Sequence, residues 1–117
     1  MYKIIDKNIH ITRGDEASIK ITGDVPFKAG DSLKLSIVKK GDYKEVLFQK
    51  KYDILEDCES FYISLTSDDT RFGDVISKRT VYWYEIEYND NQTIIGYDTD
   101  GAKQFILYPE ADDKVVV

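Results

Sequence analysis

The chain has 117 residues with a hydrophobic fraction of 42%, nine tyrosines and five phenylalanines, which suits a single domain with one buried core. Its formal net charge of −6 argues against a nucleic-acid partner, because affinity for phosphate backbones depends on clustered lysine and arginine. The one cysteine, Cys58, excludes an internal disulfide, and the absence of an apolar signal segment or membrane-spanning stretch favours a cytoplasmic origin.

A period-two alternation of apolar and polar residues runs through most of the chain. It predicts β-strands, because successive strand side chains point to opposite faces. Residues 2–5 and 8–12 are expected to form one interrupted or bent strand. Further strands are expected at residues 16–22, 32–38, 45–51, 60–65, 79–89, 92–97 and 103–108. Residues 23–31 and 53–59 are expected to be loops, and residues 66–71 at most one helical turn.

This spacing of about seven to nine strands predicts an all-β fold, a single antiparallel β-sandwich of immunoglobulin-like type. Residues 1–110 are expected to form the domain, and residues 111–117 a short C-terminal tail that is first polar and then apolar. The two strands at 79–97 form a long hairpin whose predicted turn is at Asp90 and Asn91.

Two short motifs resemble binding sites but are explained more simply as turns. Arg13-Gly14-Asp15 matches the tripeptide with which some extracellular proteins bind integrins, yet a turn with Gly14 at positive φ accounts for it. Asp98 and Asp100 resemble the start of a calcium-binding loop, but a third oxygen ligand and a distal bidentate glutamate are lacking. We therefore predict no metal site and keep Asp98 and Asp100 as weak candidates.

The sequence contains no recognisable arrangement of catalytic residues. His10 is the only histidine and Cys58 the only cysteine, and neither has partners at the spacing that zinc binding or nucleophilic catalysis requires. Glu85 and Glu87 share one face of a predicted strand. A glycosidase needs two carboxyl groups, but the solvent side of a sheet explains this pair more simply. We predict that the protein is not an enzyme, with no catalytic residues and no cofactor.

The aromatic hairpin is the best candidate for an interaction surface. One face of the strand at 79–89 carries three tyrosines and an isoleucine, and the other carries Trp83. If the tyrosine face is the core, Trp83 either covers a second core layer or marks an interface. The predicted contact residues are Trp83, Ile95 and Tyr97. The alternation does not decide whether they belong to the core instead, because both faces are partly apolar.

Five motifs follow one another along the chain: ITRGD at 11–15, FKAGDSLKLSI at 27–37, FYISLTSDDT at 61–70, YWYEIE at 82–87 and QFIL at 104–107. Their order resembles the small β-sandwich proteins encoded among tail and baseplate genes of phages and prophages of Gram-positive bacteria. It is similar in particular to the N-terminal, virion-attaching domain of upper baseplate proteins. The resemblance covers residues 9–108, nearly the whole chain.

The resemblance implies a non-enzymatic structural or assembly module of a phage or prophage particle, associated with the tail or baseplate. Its partners are then expected to be other phage structural proteins or copies of itself in a homo-oligomer, with neither nucleic acid nor membrane among them. It is expected in the bacterial cytoplasm during assembly and in the virion afterwards. The alternative is an immunoglobulin-like module that binds carbohydrate or protein through exposed aromatic residues.

Overall fold

A computed structural model gives the fold of residues 2–5 and 7–111; the predicted tail, apart from residue 111, lies outside the described residues. The strands are β1 (Tyr2–Ile5), β2 (Asn8–Thr12), β3 (Ala17–Phe27), β4 (Ser32–Lys39), β5 (Asp42–Asp53), β6 (Cys58–Leu65), β7 (Thr80–Tyr88), β8 (Gln92–Ile95) and β9 (Lys103–Tyr108). A 3-10 turn, Asp69–Arg71, lies within the predicted helical turn. No helix in the described part of the chain is long and apolar enough to cross a membrane.

Two sheets pack into the predicted all-β, sandwich-like domain. The large sheet has seven strands in the order β1-β2-β9-β7-β4-β5, with β8 paired to β7. The small sheet consists of β3 and β6. Strand β7 is central in the large sheet: β4 pairs along one of its edges, and β9 and β8 share the other.

The N-terminal strands differ from the prediction. β1 and β2 are two antiparallel strands, with Tyr2 opposite Ile11, so the expectation of one bent strand is wrong. Between them Lys7 has a φ of 67°, a left-handed conformation that permits a tight reversal and that the alternation does not reveal. β2 then runs parallel to β9, so one pairing departs from the predicted antiparallel arrangement and the large sheet is mixed.

Two strands of the small sheet also extend into segments predicted as loops. β3 continues to Phe27, which is 2% exposed and lies opposite Cys58 at the start of β6. A register shift between Thr22 and Phe27 accommodates the residues between them, including Pro26, which can occupy a strand only where no backbone donor is needed. Burial of the Phe27 ring therefore outweighs the turn-forming composition of this segment.

The turn of the β7–β8 hairpin lies one residue earlier than predicted. Asn89 and Asp90 are its central residues, with φ values of 52° and 58°, and the backbone N–H of Asn91 donates to the Tyr88 carbonyl. Asparagine and aspartate tolerate this left-handed backbone, as the favoured two-residue hairpin turn requires. The Asn89 side chain also accepts a hydrogen bond of 2.8 Å from the Ser32 backbone, which fixes the hairpin to β4.

The core lies between the two sheets and is built from alternate residues on their facing sides. On β7 the buried residues are Tyr84 and Ile86, which identifies the tyrosine face as the core face. Leu35 and Ile37 of β4, opposite Ile86 and Tyr84 respectively, are also fully buried. Trp83 therefore points to the outer side of the large sheet, away from the small one.

Candidate functional site

Three aromatic side chains lie together on the outer side of the large sheet. Trp83 is placed between Tyr43 and Tyr97, with ring centroids 5.4 Å apart for Tyr43–Trp83 and 6.2 Å for Trp83–Tyr97. Both separations are within the range at which aromatic pairs attract each other. We refer to these three residues as the outer aromatic cluster.

The cluster joins the β4–β5 and β7–β8 hairpins of the large sheet. Trp83 lies opposite Val38 of β4 and Gln104 of β9, near the middle of the sheet. Tyr43 is the second residue of β5, and Tyr97 follows the end of β8. The rings therefore come from three separate segments, and their contact depends on the strand pairing rather than on proximity in sequence.

Part of this surface forms a second, smaller apolar layer. Val38 is 1% exposed and Ile106 is 4% exposed, although neither belongs to the core cluster between the sheets. Trp83 and Tyr43 are half-buried over this layer, whereas Tyr97 is 67% exposed. Trp83 thus helps to cover an outer layer, and Tyr97 leaves an aromatic surface open to solvent.

Two carboxyl groups border the cluster. Glu85 follows Trp83 on the same side of β7, and Glu87 comes next, with Lys34 Nζ 3.9 Å from its carboxylate. Burial raises the pKa of the Glu85 carboxyl, and the negative charge of Glu87 raises it further. Burial likewise raises the pKa of Tyr43, with an added contribution from the charge of Glu85.

The backbone at the end of β8 passes directly over Glu85. A Cβ atom at Gly96 would lie 2.8 Å from the Thr93 methyl group, closer than Cβ atoms are found to approach, and 3.4 Å from Glu85 Cβ, an ordinary van der Waals contact. Glycine at this position therefore avoids a clash with Thr93 where the chain passes beside Glu85 towards Tyr97. The resulting surface combines aromatic faces with a carboxyl group, which suits it to binding a flat or cationic group.

The structure brings together two of the three predicted contact residues. Trp83 and Tyr97 touch, but Ile95 lies opposite Ile86, is half-buried and packs against the core. Ile95 instead lines a cleft of about 270 Å³ whose walls include residues of β3 and β8. Tyr43 was missed by sequence reasoning, because it follows a Gly-Asp turn and its contact with Trp83 depends on register shifts between β4 and β5.

The Arg13-Gly14-Asp15 segment forms the predicted turn at the end of β2. Gly14 has a φ of 87°, and Arg13 is 6% exposed with its guanidinium donating to the carbonyl of Phe72 at 3.0 Å. A Cβ atom at Gly14 would lie 2.8 Å from the Arg71 guanidinium. Because the cation is buried rather than presented at a loop tip, this segment cannot act as an integrin-type motif.

The single histidine and the single cysteine both make packing contacts with neighbouring side chains. His10 stacks on Tyr108, with the centroids 6.0 Å apart and His10 Nδ1 2.9 Å from the Tyr108 hydroxyl. Cys58 is half-buried and packs against the core. Within residues 2–5 and 7–111, no group of three or more histidine, cysteine, aspartate or glutamate side chains is arranged to hold a metal ion.

Asp98 and Asp100, the two weak candidates for calcium binding, lie in a turn in which the Lys103 ammonium already pairs with Asp98. Asp98 Oδ1 accepts hydrogen bonds of 2.8 Å from both the Lys103 ammonium and the backbone N–H of Asp100. Lys103 is 6% exposed, and its hydrogen bond holds the pKa of Asp98 below the usual value. The Lys103 ammonium therefore neutralises the carboxylate that a calcium ion would need.

We expect added Ca²⁺ to leave the melting temperature unchanged, both in the wild type and in a double Asp98→Asn/Asp100→Asn variant. The double variant itself should melt at a lower temperature than the wild type, because the buried Lys103 ammonium loses its carboxylate partner. Asp100→Asn alone is the matched control and should melt like the wild type. A calcium-dependent rise in melting temperature that the double variant abolishes would contradict this prediction.

Comparison with known proteins gives this chain no relatives. No protein-family model, no curated protein and no solved structure matches it. The function is therefore inferred from the outer aromatic cluster and from the order of motifs in the sequence.

Proposed function

We propose that the protein is a non-enzymatic assembly module of a phage or prophage particle, associated with the tail or baseplate, which docks through the outer aromatic cluster. The docking role is supported by the aromatic surface on the solvent side of the large sheet, where Tyr97 is 67% exposed. Exposed aromatic residues over a well-packed base are typical of protein interfaces. The assignment to a phage particle depends on the resemblance of the ordered sequence motifs.

The edge strands of the sheets offer a second means of assembly. The outer aromatic cluster is nevertheless favoured as the docking surface over β5, the longest edge strand. β5 lies at one end of the strand order of the large sheet, and an unpaired edge can recruit a strand from another chain. Lys44 and Lys51 are exposed on β5. Charged side chains of this kind discourage strand addition, so the aromatic face is the better docking surface.

The proposed partners are copies of the same chain or other structural proteins of the particle. Assembly of such particles takes place in the bacterial cytoplasm, after which the protein would be a component of the virion. The rival function is carbohydrate binding, favoured by the position of Glu85 beside the aromatic rings of Trp83 and Tyr97, since sugars stack on such rings and hydrogen-bond to carboxylates. Binding to a glycan array, with loss of binding in Trp83→Ala, would support the rival.

The docking role predicts that Tyr97→Ala weakens association at least tenfold. Tyr97 is exposed enough for its removal to leave the fold intact, whereas exposed aromatic anchors contribute strongly to binding. Sedimentation equilibrium or light scattering over a range of concentrations measures the effect. Tyr62→Ala is the matched control, because Tyr62 is 58% exposed but lies on the small sheet, and its removal should leave association unchanged.

The particle assignment is tested by mass spectrometry of purified virions from the source strain after prophage induction. We expect the chain to be present in stoichiometric amounts. If the chain is absent from particles and stays monomeric at high concentration, the proposed function is wrong. Equal loss of association in Tyr97→Ala and Tyr62→Ala would instead show that docking does not depend on the outer aromatic cluster.

A further inference from the structure

Glu85 differs from its acidic neighbours on the outer side of the large sheet in having no ion-pair partner among the described residues. Glu87 has Lys34 Nζ at 3.9 Å, and Asp90 in the hairpin turn has Lys51 Nζ at 3.1 Å. Glu85 is half-buried; burial, the charge of Glu87 and a hydrogen bond shared with Glu87 raise the pKa of its carboxyl, and the Lys34 ammonium offsets this rise only in part. A cation supplied from outside the chain would offset it further.

The side chains around Glu85 are suited to a cation that is also flat. Trp83 and Tyr97 meet edge to face and Tyr97 is 67% exposed, so an aromatic surface that attracts cations through the negative potential of the ring is open to solvent. The hydroxyl oxygen of Tyr43 is buried and has no hydrogen-bond partner among the described residues. A donor that entered this position on binding would give that oxygen a hydrogen bond.

We propose that the outer aromatic cluster and Glu85 form a binding site for the guanidinium group of an arginine side chain on the partner protein. This inference rests on the proposed docking function and specifies the chemistry of the partner. A guanidinium stacks flat on an aromatic ring while its edge donates to a carboxylate, whereas a lysine ammonium is a compact, strongly hydrated charge. The net charge of −6 also favours encounter with a basic surface.

The only tryptophan of the chain, Trp83, lies within the proposed site, so its fluorescence reports on binding there directly. The full chain is titrated with the peptide acetyl-Gly-Arg-Gly-amide and, separately, with the same peptide containing citrulline, at matched ionic strength. Citrulline keeps the planar shape of arginine but lacks its charge. We expect a saturable change in fluorescence with the arginine peptide and at least fivefold weaker binding of the citrulline peptide.

Glu85→Gln should weaken binding of the arginine peptide at least fivefold, because it removes the charge and keeps the side-chain shape. Glu59→Gln, at an exposed position on β6, is the matched control and should bind like the wild type. Tyr97→Ala provides a second variant and should also bind more weakly. Melting curves of all three variants establish that they are folded.

Equal affinity for the arginine and citrulline peptides, or unchanged binding in Glu85→Gln, would overturn this inference. The proposed function is tested separately. If Tyr97→Ala weakens assembly while the arginine peptide causes no change, docking through the cluster stands and the arginine site is wrong. If the peptide binds as expected but the chain neither associates nor occurs in particles, the site stands and the assembly role is wrong.

Discussion

Replacing Phe105 by alanine is expected to lower the free energy of unfolding by about 3–5 kcal/mol, which is a large part of the stability of a typical domain. Phe105 is fully buried on β9, opposite Ile9 of β2 and Tyr82 of β7. Its ring meets that of Phe72 edge-on at a centroid distance of 6.0 Å. The alanine variant would leave a cavity that paired strands on both sides prevent from collapsing.

The matched control is Gln104→Ala, at the neighbouring position on the same strand. Gln104 is half-buried on the outer side of the sheet, and the hydrogen bond that it donates to Asn8 comes from its backbone, which the substitution preserves. We expect a loss of less than about 1 kcal/mol. Urea unfolding with an unchanged m-value measures both effects. Similar losses in the two variants would show that the outer side is packed as tightly as the core.

Strand alternation predicted the individual strands well where one face is clearly apolar. The last strand, predicted at residues 103–108, occupies Lys103–Tyr108, and its alternate residues Phe105 and Leu107 face the core, although Ile106 between them is also apolar. The strand expected at 32–38 extends by a single residue, to Lys39. In both strands the alternate apolar residues of the sequence are the ones that face the core. The local sequence is therefore sufficient to predict where these strands lie.

Pairing could not be predicted in the same way, because a period of two describes a strand but not its neighbours. The parallel contact of β2 with β9 joins segments almost a hundred residues apart, and nothing in either segment indicates its partner. The reversal before β2 depends on Lys7 adopting a left-handed backbone, for which lysine has no special preference. These features are determined by the packing of the whole domain.

In the candidate site, too, individual residues could be predicted from the sequence but their arrangement could not. The sequence located Trp83 and Tyr97 but left the orientation of β7 open, since both of its faces carry large apolar residues. The orientation follows from burial of Leu35 and Ile37 on the neighbouring strand beneath the small sheet. Tyr43 joins the cluster only because the pairing of β4 with β5 shifts register twice near its end.

Raising the pH above about 10 is expected to destabilise the fold, with Tyr84 as a principal cause. Tyr84 is 2% exposed, and its hydroxyl donates to the carbonyl of Lys7. Burial raises the pKa of Tyr84 above its ordinary value. Burial also raises the pKa of Tyr52, and the charge of Asp69 adds to that effect. A tyrosine in the unfolded chain ionises near pH 10, whereas the buried one stays neutral, so stability present below pH 10 is lost as the pH rises above it.

The contribution of Tyr84 can be isolated by urea unfolding between pH 8 and pH 12 of the wild type, Tyr84→Phe and Tyr62→Phe, whose exposed ring serves as the control. At neutral pH, Tyr84→Phe should cost about 1 kcal/mol for the lost hydrogen bond. Above pH 10 the wild type should lose about 1.4 kcal/mol per pH unit more than Tyr84→Phe, because the Tyr84 hydroxyl ionises in the unfolded wild type and stays neutral in the folded one. Deprotonation of the lysines affects all three proteins equally and cancels in the comparison. Identical slopes in the wild type and Tyr84→Phe would mean that Tyr84 ionises without unfolding, and that its burial does not set the alkaline limit of the fold.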